Sequence, residues 1–306
     1  MSGILDEIPT MQQKSFQRHE LAPRVRNVKM LRAMIRSAIT ISLVPEARGG
    51  PFVFSDGLEQ GCARAAALGF DAVEIFPPSA DALNVKELRA LLKRHRLRLA
   101  AVGTGAGWVK HRLSLTSADP GVRGRARDFI AGIVDRAATF GAPAIIGSMQ
   151  GRVEGDVTRR QALQWFTEGL KTLGQRAGAH GVSLLYEPLN RYETNLFNRA
   201  GDAAAFLIRR KIPHVKLLCD LFHMNIEEAS IPAALRAVGR LVGHVHFADT
   251  NRHAVGFGHL EVAPIVAALR EIGYEGYLSA EVMPLPDPER AACQTMRAFR
   301  QFVVAP

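Results

Sequence analysis

The chain is poor in several features that mark common protein classes. Cysteine occurs only at Cys62, Cys219 and Cys293, odd in number and far apart. That excludes a disulfide framework and a clustered cysteine-zinc site, and reads as reduced, structural thiols. No apolar run approaches the roughly 18 to 20 residues of a membrane span. The N-terminus lacks the basic region, apolar run and small-residue cleavage site of a secretory signal, so the expectation is a cytoplasmic protein that meets no membrane. Acidic residues number 29 against 39 basic ones, a formal net charge of +10. Such an excess attracts nucleic acid, anionic membranes or acidic small molecules. Aromatics are sparse at 7%, however, with none interleaved in a basic segment, and no helix-turn-helix or zinc-finger pattern occurs. The charge is therefore read as a solvated basic surface with no nucleic-acid partner.

What is present is apolar material in regular alternation. With 47% hydrophobic and 22% charged residues, the 306-residue chain can bury a sizeable core. From about residue 37, short apolar runs rich in β-branched residues alternate with amphipathic helical segments, the pattern of parallel βα units. The runs fall at 38–44, 71–76, 97–103, 142–148, 182–188, 215–220, 242–249 and 277–282. Between them lie segments such as LEQGCARAAALGF and VAPIVAALREIGY, each a helix closing on glycine. Eight units predict an α/β protein with a closed (β/α)8 TIM barrel, and the roughly 270 residues they occupy suit the usual barrel size of about 250. An open dinucleotide-binding sheet fits poorly, because the first run is followed by VPEARGGPF and not by GxGxxG. The domain reading is an N-terminal extension over 1–35, flexible or loosely docked, and a catalytic barrel over 36–306.

Active-site residues of such barrels sit at the C-terminal ends of strands and in the loops that follow. Reading only those positions, strand five ends in Glu187, strand six in Asp220, strand seven carries His246 and strand eight ends near Glu281. The gaps of 33, 26 and 35 residues are each close to one βα unit, so the four groups should converge. Three carboxylates and an imidazole buried together need a cation. Mostly oxygen donors with one nitrogen suit a divalent ion such as Mn2+, Mg2+ or Co2+ better than zinc.

The segments YEPLNRYETN, CDLFHMNIEE, HVHFADTNR and the closing SAEV resemble the ketose 3-epimerases of the xylose isomerase-like TIM barrel family, the D-tagatose and D-psicose 3-epimerase group. The likeness spans about residues 37 to 300. It is closest to members acting on keto sugar acids, which share GTG, SLT and GRxEG, here at 103–105, 114–116 and 151–155. The resemblance implies that Glu187, Asp220, His246 and Glu281 hold one divalent metal ion, Mn2+ before Mg2+ or Co2+. It also implies that Glu193, His223 and Arg252 bind substrate hydroxyls. The chain departs from these relatives after strand seven, where it reads AVGFGH without the proline they often have before the glycine-rich loop.

Epimerisation beside a carbonyl removes a proton from one face of a carbon and returns one to the other, so two bases are needed. Glu187 and Glu281 are expected to fill that role, with the metal stabilising the enediolate charge. Arg152, just past strand four, is expected to clamp a substrate carboxylate, and Trp108 to wall the pocket or stack on the sugar. Three other readings stand beside this one: an aldose-ketose isomerase of the same superfamily, a non-catalytic sugar-binding protein and a DNA-repair endonuclease. The last needs a multi-zinc cluster with histidines from more strands, which strands two and three do not supply. The expected partner is a small sugar or sugar acid, with a homo-oligomer left open.

Overall fold

The computed structural model describes residues 35–304, so the extension expected over 1–35 lies, but for Ile35, outside the described residues. Among the described residues, parallel strands β1 (Arg36–Ser42), β2 (Ala72–Phe76), β3 (Arg98–Gly103), β4 (Ala144–Ile146), β5 (Leu184–Tyr186), β6 (Val215–Asp220), β7 (Val242–His246) and β8 (Tyr277–Ala280) pair in sequence order. β8 then pairs back onto β1, with Ala38 opposite Ser279, closing a (β/α)8 barrel. Every expected strand is present. Several apolar runs are longer than the strands themselves, as at 142–148 against Ala144–Ile146. The reason is that the chain stays buried after it leaves the ladder: Met149 and Leu189 lie past β4 and β5 yet are 0% and 4% exposed.

Several helices begin on side-chain caps that end the preceding loop. Asp119 accepts from Gly121 N ahead of the helix Pro120–Ala138, and Thr158 with Gln161 forms a reciprocal capping box ahead of Arg159–Ala179. The expected glycine stop is seen after Leu58–Leu68, where Gly69 takes a left-handed conformation. The main core lies between sheet and helices, with Ile39, Ile41 and Ile75 fully buried against the helical layer.

Alternation along the strands places Ala38 with Thr40, Ala72 with Glu74, and His244 with His246 on common faces. Thr40, Glu74 and His246 line a central cavity, which identifies that face as the inner one. The layer beneath is built of small residues, Ala38, Ala72 and Ala100, which leaves the lumen open to longer polar side chains above. Cys62 and Cys219 are buried, whereas Cys293 is exposed on the helix Pro288–Phe299, so the structural-thiol reading does not extend to it. Among the described residues no helix is long and apolar enough to cross a membrane.

Candidate metal centre

β5, β6, β7 and β8 are successive neighbours, and their C-terminal ends bring Glu187, Asp220, His246 and Glu281 to one rim. Each offers one ligand atom, and the four atoms lie within 4.8 Å of one another. His246 Nδ1 is the hub, 3.4 Å from Asp220 Oδ2, 3.5 Å from Glu187 Oε1 and 3.5 Å from Glu281 Oε2. Glu187, Asp220 and His246 are buried, and Glu281 is nearly so.

Surrounding groups set the pose of each member. Asp220 Oδ1 caps the helix Leu221–Glu227 by accepting from Phe222 N, which turns Oδ2 toward the centre. A Cβ at Gly147 would lie 2.5 Å from Glu187 Oε2, so only glycine at the end of β4 lets that carboxylate lie against the backbone. Gln150 donates to the carbonyls of Gly147 and Glu187 at 2.9 and 3.0 Å and accepts from the Tyr186 hydroxyl at 3.1 Å. Arg252 donates to Glu281 Oε2 at 2.9 Å and stands 3.7 Å from Glu193 Oε1.

His223 lies in the helix Leu221–Glu227 that follows β6, with Nε2 facing the quartet, 3.7 Å from Asp220 Oδ2 and 3.9 Å from Glu187 Oε1. Its tautomer follows from Asn190. Asn190 Oδ1 accepts from Tyr192 N at 3.0 Å, so Nδ2 is the atom 2.7 Å from His223 Nδ1, which must then accept. The ring proton therefore sits on Nε2, aimed into the site. Among the described residues, Glu187 Oε1 and His223 Nε2 are buried with no hydrogen-bond partner, an arrangement that costs stability unless a ligand occupies the space between them.

The electrostatics point the same way. Burial pushes the Glu281 carboxyl up to about 7; His246 and Arg252 oppose that rise, while Glu187 and Asp220 add to it. Burial also works against the charged forms of Asp220 and His246. For Asp220 the imidazoles of His223 and His246 outweigh it and hold the carboxyl below the usual range. For His246 the charges of Glu281 and Glu74 outweigh it and hold the imidazole well above its usual value. Without a cation, then, the cluster needs extra protons to balance its carboxylates. Three oxygens and one nitrogen around a buried void are the donor set of a divalent ion.

A second group, Glu74, His244 and His246, also gathers ligand atoms within 4.8 Å. It is closed without an ion, because Glu74 Oε2 lies 2.8 Å from His244 Nε2 and Oε1 lies 3.1 Å from His246 Nε2. Burial alone would raise the Glu74 carboxyl, but His246 and His244 hold it well below the usual range.

The cavity of about 100 Å³ in front of the quartet admits a small polar molecule. Glu193, Arg252 and Glu281 line one side, and Phe52 stacked on Phe76 at 4.6 Å lines the other. Arg152 is not part of this wall. Its loop is stapled to the next one through Val153 N to Asn195 Oδ1 and Thr194 Oγ1 to Gly151 O, and its side chain is left exposed to solvent. Trp108 is half-buried in the helix Ala106–His111, packed on the core with the Arg112 guanidinium 5.2 Å from its ring, and does not line the cavity either. The expected carboxylate clamp and sugar-stacking roles thus find no support in the position of either side chain. Thr104 and Ser114 serve their loops, the first bonding Ile145 O and the second Thr116 N.

Residues 62–302 match the family described as xylose isomerase-like TIM barrel. The chain is similar to the D-psicose 3-epimerase of Ruminiclostridium cellulolyticum, 32% identical over 225 residues that cover 71% of this chain and 75% of that protein. It is 31% identical over 225 residues to the 3-dehydro-D-guloside 4-epimerase of Escherichia coli, with 70% and 82% covered. Its fold resembles the crystal structure of D-psicose 3-epimerase with D-tagatose from Clostridium cellulolyticum H10, with a TM-score of 0.73 at 24% identity, covering 89% of this chain and 100% of that one.

Proposed function

This chain belongs to the xylose isomerase-like TIM barrel family, and on that premise we propose that it is a divalent-metal-dependent sugar epimerase acting at a carbon beside a ketone. The observation that carries the reading is the meeting of two glutamates, at the ends of β5 and β8, around one imidazole nitrogen, with Glu187 Oε1 at the edge of a small cavity and His223 Nε2 beside it both without hydrogen-bond partners among the described residues. Glu187, Asp220, His246 and Glu281 would hold the ion, and their oxygen-rich set favours Mn2+. When bound, such an ion polarises the ketone and neighbouring hydroxyl oxygens of the substrate and stabilises the charge that develops on them.

The chain supplies the rest. One of Glu187 and Glu281 takes the proton from the reacting carbon and the other returns one to the opposite face, with roles exchanged in the reverse direction. Arg252 Nη2 holds Glu281 Oε2 in place. The Nε2–H of His223 donates to a substrate oxygen, and Glu193 accepts from a hydroxyl. Phe52 and Phe76 keep water from the far side of the reacting carbons. Arg252 is the one guanidinium or ammonium among the described residues lining the cavity, and Glu281 and Glu193 already engage it. That supports a neutral ketose or keto-glycoside over a keto sugar acid.

The test is incubation of the protein with Mn2+ and a panel of ketoses, keto-glycosides and keto acids in heavy water. Deuterium should enter at one carbon beside the ketone, with the epimeric ketone as product. Glu187→Gln and Glu281→Gln should each lose roughly 10²–10⁴-fold in rate while remaining folded. Exchange yielding an aldose, or a folded variant with near-native turnover, would overturn the proposal.

A further inference from the structure

We infer that Glu74 is a positioning residue for the metal centre, holding His246 from across the barrel so that Nδ1 faces the ion; this rests on the metal-dependent reading above. Glu74 lies in the middle of the strand AVEIF and is 4% exposed. A carboxylate in such surroundings persists only if both oxygens find donors. They find them on β7, which is not a neighbour of β2, so the side chain crosses the lumen above the alanine layer to reach His244 and His246.

An ionised carboxylate only accepts hydrogen bonds, so each imidazole must present Nε2–H to it. For His246 the consequence is specific. With the proton on Nδ1, its Nε2 lone pair would face the Glu74 oxygen at 3.1 Å, while the N–H would crowd the space among Glu187, Asp220 and Glu281. With the proton on Nε2, the Nδ1 lone pair is directed at that space. His244 engages the second oxygen and so fixes the plane of the carboxylate, and its ring stands edge-on to His246 at 84°. Partners of this kind orient a ligating imidazole and raise its basicity, and their loss costs about 10–100-fold in metal affinity.

Two measurements on the full chain test the inference. In 15N-histidine spectra of the wild-type protein, with and without Mg2+, the His246 Nε2 proton should be present and protected from exchange. In Glu74→Gln, which keeps volume but loses one acceptor and the charge, that protection should fall and the Mn2+ dissociation constant should rise roughly 10–100-fold by calorimetry. An unprotected Nε2 proton in the wild type, or unchanged Mn2+ affinity in the folded variant, would overturn the role of Glu74. The wild-type spectrum decides the matter even where the variant does not fold. Absence of Mn2+ binding by the wild type, with the Nε2 proton still protected, would instead overturn the metal-dependent reading and leave the hydrogen-bonded pose of His246 standing.

Discussion

At the scale of single residues, the candidate site depends on side chains beyond the four proposed ligands. Gln150 is fully buried, and its amide ties the rims of β4 and β5 together through Gly147 O, Glu187 O and the Tyr186 hydroxyl. Burial pushes that phenol well above its usual range, so it remains a donor at every working pH. Gln150→Ala strands a buried hydroxyl and two carbonyls, and is expected to cost roughly 2–3 kcal/mol. Urea unfolding with an unchanged slope would read this directly, and a loss below about 0.5 kcal/mol would mean that water replaces the amide. Glu187, Asp220, His246 and Glu281 were legible in the sequence because each lies in or at the end of an apolar run, spaced by about one βα unit. Gln150, Asn190 and Glu74 were not, because each acts through a partner 33 to 172 positions away. The available signals were faint: a glutamate inside AVEIF, and His244 two positions before His246 on one strand face.

Among the elements, the loop after β7 is organised by one carboxylate. Asp249 is buried and accepts from the backbone N–H groups of Thr250, Gly256 and Leu260 at 2.8, 2.7 and 3.0 Å. Gly256 has φ +99°, a conformation in which a side chain would be strained, so the AVGFGH segment takes its shape from glycine and Asp249 without a proline. The same loop carries Arg252 toward Glu281. Burial alone would raise the Asp249 carboxyl, but the backbone donors outweigh it and hold it below the usual range. Its contribution to stability is therefore fully present above the unfolded value of about 3.9 and is lost as pH falls through the lower folded value. Asp249→Asn replaces one acceptor by a donor facing backbone N–H, and is expected to lower stability by about 1–3 kcal/mol at neutral pH. Because the variant carboxamide does not titrate, its melting temperature should also fall less steeply than that of the wild type below about pH 4. Parallel curves for the two proteins from pH 3 to 7 would show that Asp249 contributes no such linkage.

For the whole molecule, an ion held by four strands, as proposed above, would link metal binding to the closed barrel. The folded protein gathers the four ligand atoms within 4.8 Å, whereas an unfolded chain leaves them separated by the βα units between them. Divalent metal at about 100 times its dissociation constant is therefore expected to add roughly 2.7 kcal/mol, or about 4–5 °C in melting temperature for a chain of this size, reversed by a chelator. The shift should vanish in Asp220→Asn; a full shift there would place the ion elsewhere.

The sequence by itself determined the barrel, because apolar runs and amphipathic helices are local patterns that repeat along the chain, and eight such units bury their faces together only by closing. It also pointed to the rim at which the four candidate ligand atoms converge. The tertiary structure alone decided which nearby charges reach that rim. Arg152 stands next to the expected place in sequence and is left in solvent by its stapled loop, whereas Glu74 arrives from the opposite wall. Position along a strand reveals the face on which a side chain lies, but contact across a lumen depends on the size of everything beneath it, here Ala38, Ala72 and Ala100.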